Sequence, residues 1–177
     1  MSKSFDELFA SFENKFNHDC IIKECEEHGT KINCSKNKFE HILVFKGEKL
    51  QMKLLLEKKP NSKGKIYNGK ICDCFIYCTL QNKNSLIASL VELKSGSFNT
   101  DEINEKFDNS IKIMEKMIHP YIKGEIIFYP ILICNEITVA ASKHFSGKRI
   151  NFRDKSYHII LKRNNENLDL FKIIEEN

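Results

Sequence analysis

The stretch "SLIASLVELKSGSF" (85–98) decides the reading of the fold. Its first nine positions are almost all apolar or small, as in a strand covered on both faces, yet Glu92 and Lys94 stand two residues apart near its end. Side chains two apart on a strand share a face. Glu92 and Lys94 therefore stand together with Leu90 and Ala88 behind them, while Val91 and Leu93 take the other face. Two charges on an otherwise apolar face are costly to desolvate unless they pair, bind a metal or reach an opening. The opening is at hand: "SGS" (95–97) ends the strand directly after Lys94. Crevices at the carboxyl ends of strands are where open α/β sheets take ligands.

The preceding strand, "KICDCFIYCTL" (70–80), carries one acid, Asp73. Strand alternation puts Asp73 on the face of Phe75 and Tyr77, with Cys72, Cys74 and Cys78 opposite. If the turn "QNKN" (81–84) pairs the two strands, Asp73 and Glu92 come together beside a lysine. Neighbouring carboxylates repel, a divalent cation relieves the repulsion, and hard oxygen donors with room for water suit Mg²⁺ or Mn²⁺. After the strand, "SGSFNTDEINEKFDNSIKIMEKMIHP" (95–120) reads as a helix. Asn99 or Thr100 caps it, Ile103, Phe107, Ile111, Met114 and Ile118 form its apolar stripe, and Pro120 marks its stop.

Farther out, "FDELFASFENKF" (5–16) repeats its apolar residues at helical spacing. The segment 20–37 fits either a hairpin turning at His28 and Gly29 or a short helix. "FEHILVF" (39–45) and "LQMKLLLE" (50–57) read as a strand pair around Lys46 and Gly47, the second also compatible with a helix. "KKPNSKGK" (58–65) is a turn, "EIIFYPILIC" (125–134) a buried strand and "KRINFRDKSYHIILKR" (148–163) a closing hairpin. The order of helix, strands, helix and strands predicts an α/β protein, a mixed sheet flanked by helices.

With 177 residues, 41% hydrophobic and 29% charged, the chain fits one domain, 1–177. A net charge of +4 is too small to announce a polyanionic partner by itself. Lysine and arginine are nevertheless dense in 46–70, opposed by Glu48 and Glu57, and in 143–163, opposed by Asp154 alone. Such surfaces suit phosphate backbones more than base edges. The N-terminus lacks the pattern of a secretory signal and the apolar run 126–134 is too short for a membrane helix, so a cytoplasmic protein without membrane contact is expected. Seven cysteines without an export signal predict reduced thiols. Cys20, Cys25, His28 and Cys34 offer zinc ligands in principle, but no paired C-x₂-C clusters occur and buried thiols are the simpler reading. "GKIYNGKI" (64–71) matches a phosphate loop only until Ile71, which stands where Ser or Thr would hold Mg²⁺.

Asp73, then "VELK" (91–94) with Glu92 and Lys94, then a helix, resembles the D…(D/E)-x-K signature of the PD-(D/E)xK nuclease superfamily, which includes restriction-endonuclease-like folds. The resemblance covers about 70–119, with Cys72 standing where the superfamily's proline would be. It implies a restriction-endonuclease-like core, αβββαβ. It also implies that Asp73, Glu92 and the carbonyl of Leu93 hold Mg²⁺ or Mn²⁺, with Lys94 beside the attacking water. Many members add a Glu from the first helix. Glu13 is the candidate here, with Glu26 or Glu27 if their segment is helical, whereas Glu7 points away. Many also place a Gln on the helix after the lysine, for which Asn109 is the nearest counterpart. The expectation is a metal-dependent nuclease, acting on DNA in preference to RNA, as a homodimer or in a larger complex, with bacterial defence or repair as roles by analogy. The alternative is a non-catalytic module that binds nucleic acid or a partner protein.

Overall fold

The computed structural model describes residues 4–57, 69–80, 85–119, 125–164 and 168–177. Helix α1 (Phe5–Cys20) starts where the Ser4 side chain accepts a hydrogen bond from the Glu7 amide, and Asp6 and Glu7 suit its positive end. Leu8, Phe9, Phe12 and Phe16 are buried along its inner face. Strand β1 (Ile21–Ile22), β2 (Cys25–Glu27) and β3 (Thr30–Ile32) follow, and then β4 (His41–Lys46) and helix α2 (Gly47–Leu56). The centre of the chain supplies β5 (Cys74–Thr79), β6 (Ser85–Lys94), α3 (Thr100–Ile118) and β7 (Glu125–Cys134). Helix α4 (Val139–Gly147), β8 (Arg149–Phe152), β9 (Lys155–His158), β10 (Ile160–Arg163) and α5 (Leu170–Glu176) complete it.

The main sheet has six strands in the order β1-β4-β5-β6-β7-β10. From β1 to β6 neighbours run antiparallel; β6–β7 and β7–β10 are parallel. It is thus a mixed sheet flanked by helices. The expected order αβββαβ can be traced through α1, β4, β5, β6, α3 and β7, with β1 to β3 lying between α1 and β4 and α2 between β4 and β5. Helix α3 is the crossover that a parallel β6–β7 pair requires. Asn99 caps it, its Oδ1 accepting from the Asp101 and Glu102 amides.

Each sheet face is sealed. One face carries α1 to α4 and the β8–β9 hairpin, where Phe12, Phe16, Phe45 and Tyr77 meet edge to face and Phe107, Met114 and Phe145 extend the core. The other face carries the β2–β3 hairpin and α5, packed on Ile76, Val91, Leu93 and Ile133. No helix among the described residues is long and apolar enough to cross a membrane.

Of the two readings of 20–37, the hairpin is the one present: Cys25–Glu27 pairs with Thr30–Ile32 about a turn with His28 and Gly29 at positive φ. Other expectations change. Segment 47–56 is a helix and pairs with no strand; it contains no β-branched residue, and straight-chain formers with a buried Leu50 favour the helix. In 148–163 only β8 and β9 form a hairpin, and β10 leaves it to run parallel to β7. The thiols are not all reduced: Cys25 and Cys74 are joined in a disulfide, and Cys20, Cys34, Cys72, Cys78 and Cys134 are free and buried. The expected turns at 58–65 and 81–84, the glycine-lysine stretch at 64–68 and the stop at Pro120 lie outside the described residues.

Candidate active site

The register of β5 against β6 builds the site. Cys74 lies opposite Val91, so the chain entering β5 brings Asp73 beside Glu92. Asp73 precedes the strand proper, which begins at Cys74. For the same reason Cys72 does not share the face of Cys74 and Cys78: it packs in the α1/α3 core, whereas they pack in the other.

Backbone ties hold Asp73 in place. Its carbonyl accepts from the Gly47 amide at 2.7 Å, and its Oδ2 accepts from the Leu93 amide at 2.7 Å. The Cys72 amide donates to Ser110 Oγ on α3, the Asn109 side chain donates to the Lys70 carbonyl, and Gln51 on α2 donates to the Gly69 carbonyl. The approach to β5 is therefore strapped to two helices. Asn109 belongs to that strap, which answers its candidacy as a site residue.

Glu92 and Lys94 sit on one face of β6, as alternation requires. Glu92 is fully buried and Lys94 is 22% exposed, with 3.0 Å between Lys94 Nζ and Glu92 Oε1. The residue that sequence reasoning missed is Lys106 on α3. Its Nζ lies 2.6 Å from Glu92 Oε1 and 3.9 Å from Asp73 Oδ1, so one ammonium joins the two acids. Lys106 lies three residues after Ile103 and four before Ser110, beside the buried stripe of α3.

Burial raises the Glu92 carboxyl to about 7, aided by the Asp73 charge and opposed by Lys106 and Lys94. Burial also raises Asp73, against the Leu93 amide and the lysines. Lys106 is pulled down by burial but ends above the ordinary lysine value, because the charge and hydrogen bond of Glu92 and the charge of Asp73 outweigh it. Around this centre Glu27 pairs with Lys46 at 2.8 Å and Glu102 with Lys70 at 3.3 Å. Acids and lysines balance: Glu27, Asp73, Glu92 and Glu102 against Lys46, Lys70, Lys94 and Lys106.

Comparison of the chain with protein-family models, curated proteins and solved structures gave no match. The site is therefore read from its own geometry.

A hard divalent cation fits the donor set. Glu92 Oε2 is buried and has no hydrogen-bond partner among the described residues, an oxygen that a cation would satisfy. In an extended strand the N–H and C=O of one residue face the same neighbour, so the Leu93 carbonyl faces Asp73, as its amide does. Asp73, Glu92 and the Leu93 carbonyl thus supply oxygens from two directions. No third His, Cys, Asp or Glu side chain joins them among the described residues. Glu13 is exposed on α1 and lines a cleft with Asp19, Ile21 and Lys23. Glu26 is exposed on its strand, and Glu27 is engaged by Lys46, which also holds its carboxyl below the usual range. The zinc set does not assemble: Cys25 is in the disulfide, His28 is exposed, and Cys20 and Cys34 donate to the Lys49 and Ile32 carbonyls.

Proposed function

We propose that the protein is a Mg²⁺- or Mn²⁺-dependent nuclease of the PD-(D/E)xK type that hydrolyses phosphodiester bonds, DNA before RNA. The observation that carries the reading is the convergence of Asp73, Glu92 and Lys94 at the carboxyl end of β6, with a buried Glu92 oxygen unpartnered among the described residues. Asp73, Glu92 and the Leu93 carbonyl would hold the ion. Bound there, it would polarise a phosphoryl oxygen and acidify a water. Lys94, the more exposed of the two central lysines, would orient that water or steady charge on the phosphate. Lys46 and Lys70 flank the centre and suit the neighbouring phosphates. A homodimer or a larger complex would supply target choice, and a place in defence or repair stays an analogy. The rival reading, a binding module, gives no reason to bury two carboxylates together, since that arrangement costs stability.

Incubation with plasmid and single-stranded DNA and RNA under Mn²⁺ tests the reading. Wild type should cleave. Asp73→Ala and Lys94→Ala should each lose about 10²-fold or more while retaining the fold. Binding without cleavage by wild type, across all substrates and with both variants behaving alike, would favour the binding module.

A further inference from the structure

We propose that Lys106 is a built-in counter-ion, one that occupies the carboxylate pair until a divalent cation displaces it; this rests on the metal-site reading above. With Glu92 ionised, the two acids and the two lysines Lys94 and Lys106 make an electrically neutral group. Lys106 is the inner of the lysines, 13% exposed, and the one that touches both carboxylates. Lys94 is anchored on a central strand and, among the described residues, makes its ion pair with Glu92. A cation entering to meet Glu92 Oε2 and Asp73 would find an ammonium already between those acids, and two positive centres there repel.

The side chain is able to leave. A lysine head on a four-carbon stem reorients without moving its helix. Glu102 lies four residues before Lys106 on α3, the favourable order for a helical acid–lysine pair, and offers it a second partner. Released, the ammonium would be free to take a phosphate oxygen. Metal loading and the arming of a further phosphate contact would then be one event.

The readout is Mn²⁺ affinity, measured by calorimetry and by electron paramagnetic resonance at pH 8.5 on wild type, Lys106→Met, Lys106→Arg and Asp73→Ala. Lys106→Met should bind Mn²⁺ about tenfold tighter or more, because the competing charge is gone. Lys106→Arg, which keeps it, should bind no tighter than wild type. A merely structural lysine would give the opposite result for Lys106→Met, weaker binding. Equal or weaker binding by Lys106→Met, with binding abolished in Asp73→Ala, overturns the counter-ion role and leaves the metal site standing. Mn²⁺ binding that Asp73→Ala does not alter, or none in any protein, removes the metal site and this proposal with it. If circular dichroism shows Lys106→Met to be unfolded, the wild type decides: the Lys106 ¹⁵Nζ ammonium resonance should shift or vanish as Mg²⁺ is added. An unchanged resonance at saturating Mg²⁺ overturns the proposal.

Discussion

A carboxylate sealed at the end of β6 has to be ionised to hold a cation, and burial makes ionisation costly. With Glu92 raised to about 7, the folded protein binds a proton that the unfolded chain releases near pH 4.5. The sign follows: between those values the native state holds more protons, so stability falls as pH rises through the window and levels off above it. In chelator, the unfolding free energy should drop on the order of 3 kcal/mol between pH 4.5 and 7.5 from Glu92, with Asp73 pulling the same way. Urea titrations across that range check it, and added Mn²⁺ should offset the loss. Cleavage should move oppositely, rising as pH passes about 7 and Glu92 ionises. Glu92 and Lys94 were legible because a strand's period of two admits one arrangement. Lys106 was not, because a single lysine beside a helical stripe reads equally as a snorkelling surface residue until the facing acids are in place.

At the scale of elements, the junction of β4 and α2 controls the site without touching its chemistry. A Cβ on Gly47 would run into the Cys72 carbonyl oxygen and approach the Asp73 carbonyl to 3.2 Å, while the Gly47 amide supports Asp73 from the same side. Gly47→Ala should cost about 2 kcal/mol or more and displace Asp73. Thermal melts and Mn²⁺ titration should therefore report both losses together, whereas Gly96→Ala, with open space around it, should spare the fold. The sequence displayed α1, β6, α3 and β7 because their apolar periods are long and their caps strong. Helix α2 was ambiguous, since leucine-rich runs serve strands and helices alike. The Cys25–Cys74 bridge was hidden for a different reason: it joins residues 49 apart, between the β2–β3 hairpin and the start of β5, and spacing alone does not show such a meeting.

For the molecule as a whole, the charge balance around the Asp73–Glu92 pair sets the terms of any contact with a polyanion at that place. With four acids matched by four lysines, the centre offers a phosphate chain little net attraction until a divalent ion adds its charge. Fluorescence anisotropy with a labelled duplex should show binding in Ca²⁺ at least about fivefold tighter than in EDTA, and the gain should vanish in Asp73→Ala. Equal affinity in both buffers would assign binding to other lysines of the surface. Strand β6, which bears Glu92 and Lys94, is bonded to β5 on one side and β7 on the other and is covered on both faces. From Ile87 to Val91 it is paired on both sides, so deuterium should reach those amides only when the sheet opens. Heat, on this view, leaves the middle of β6 intact until the molecule melts, and the strand that carries Glu92 and Lys94 is lost in the same step.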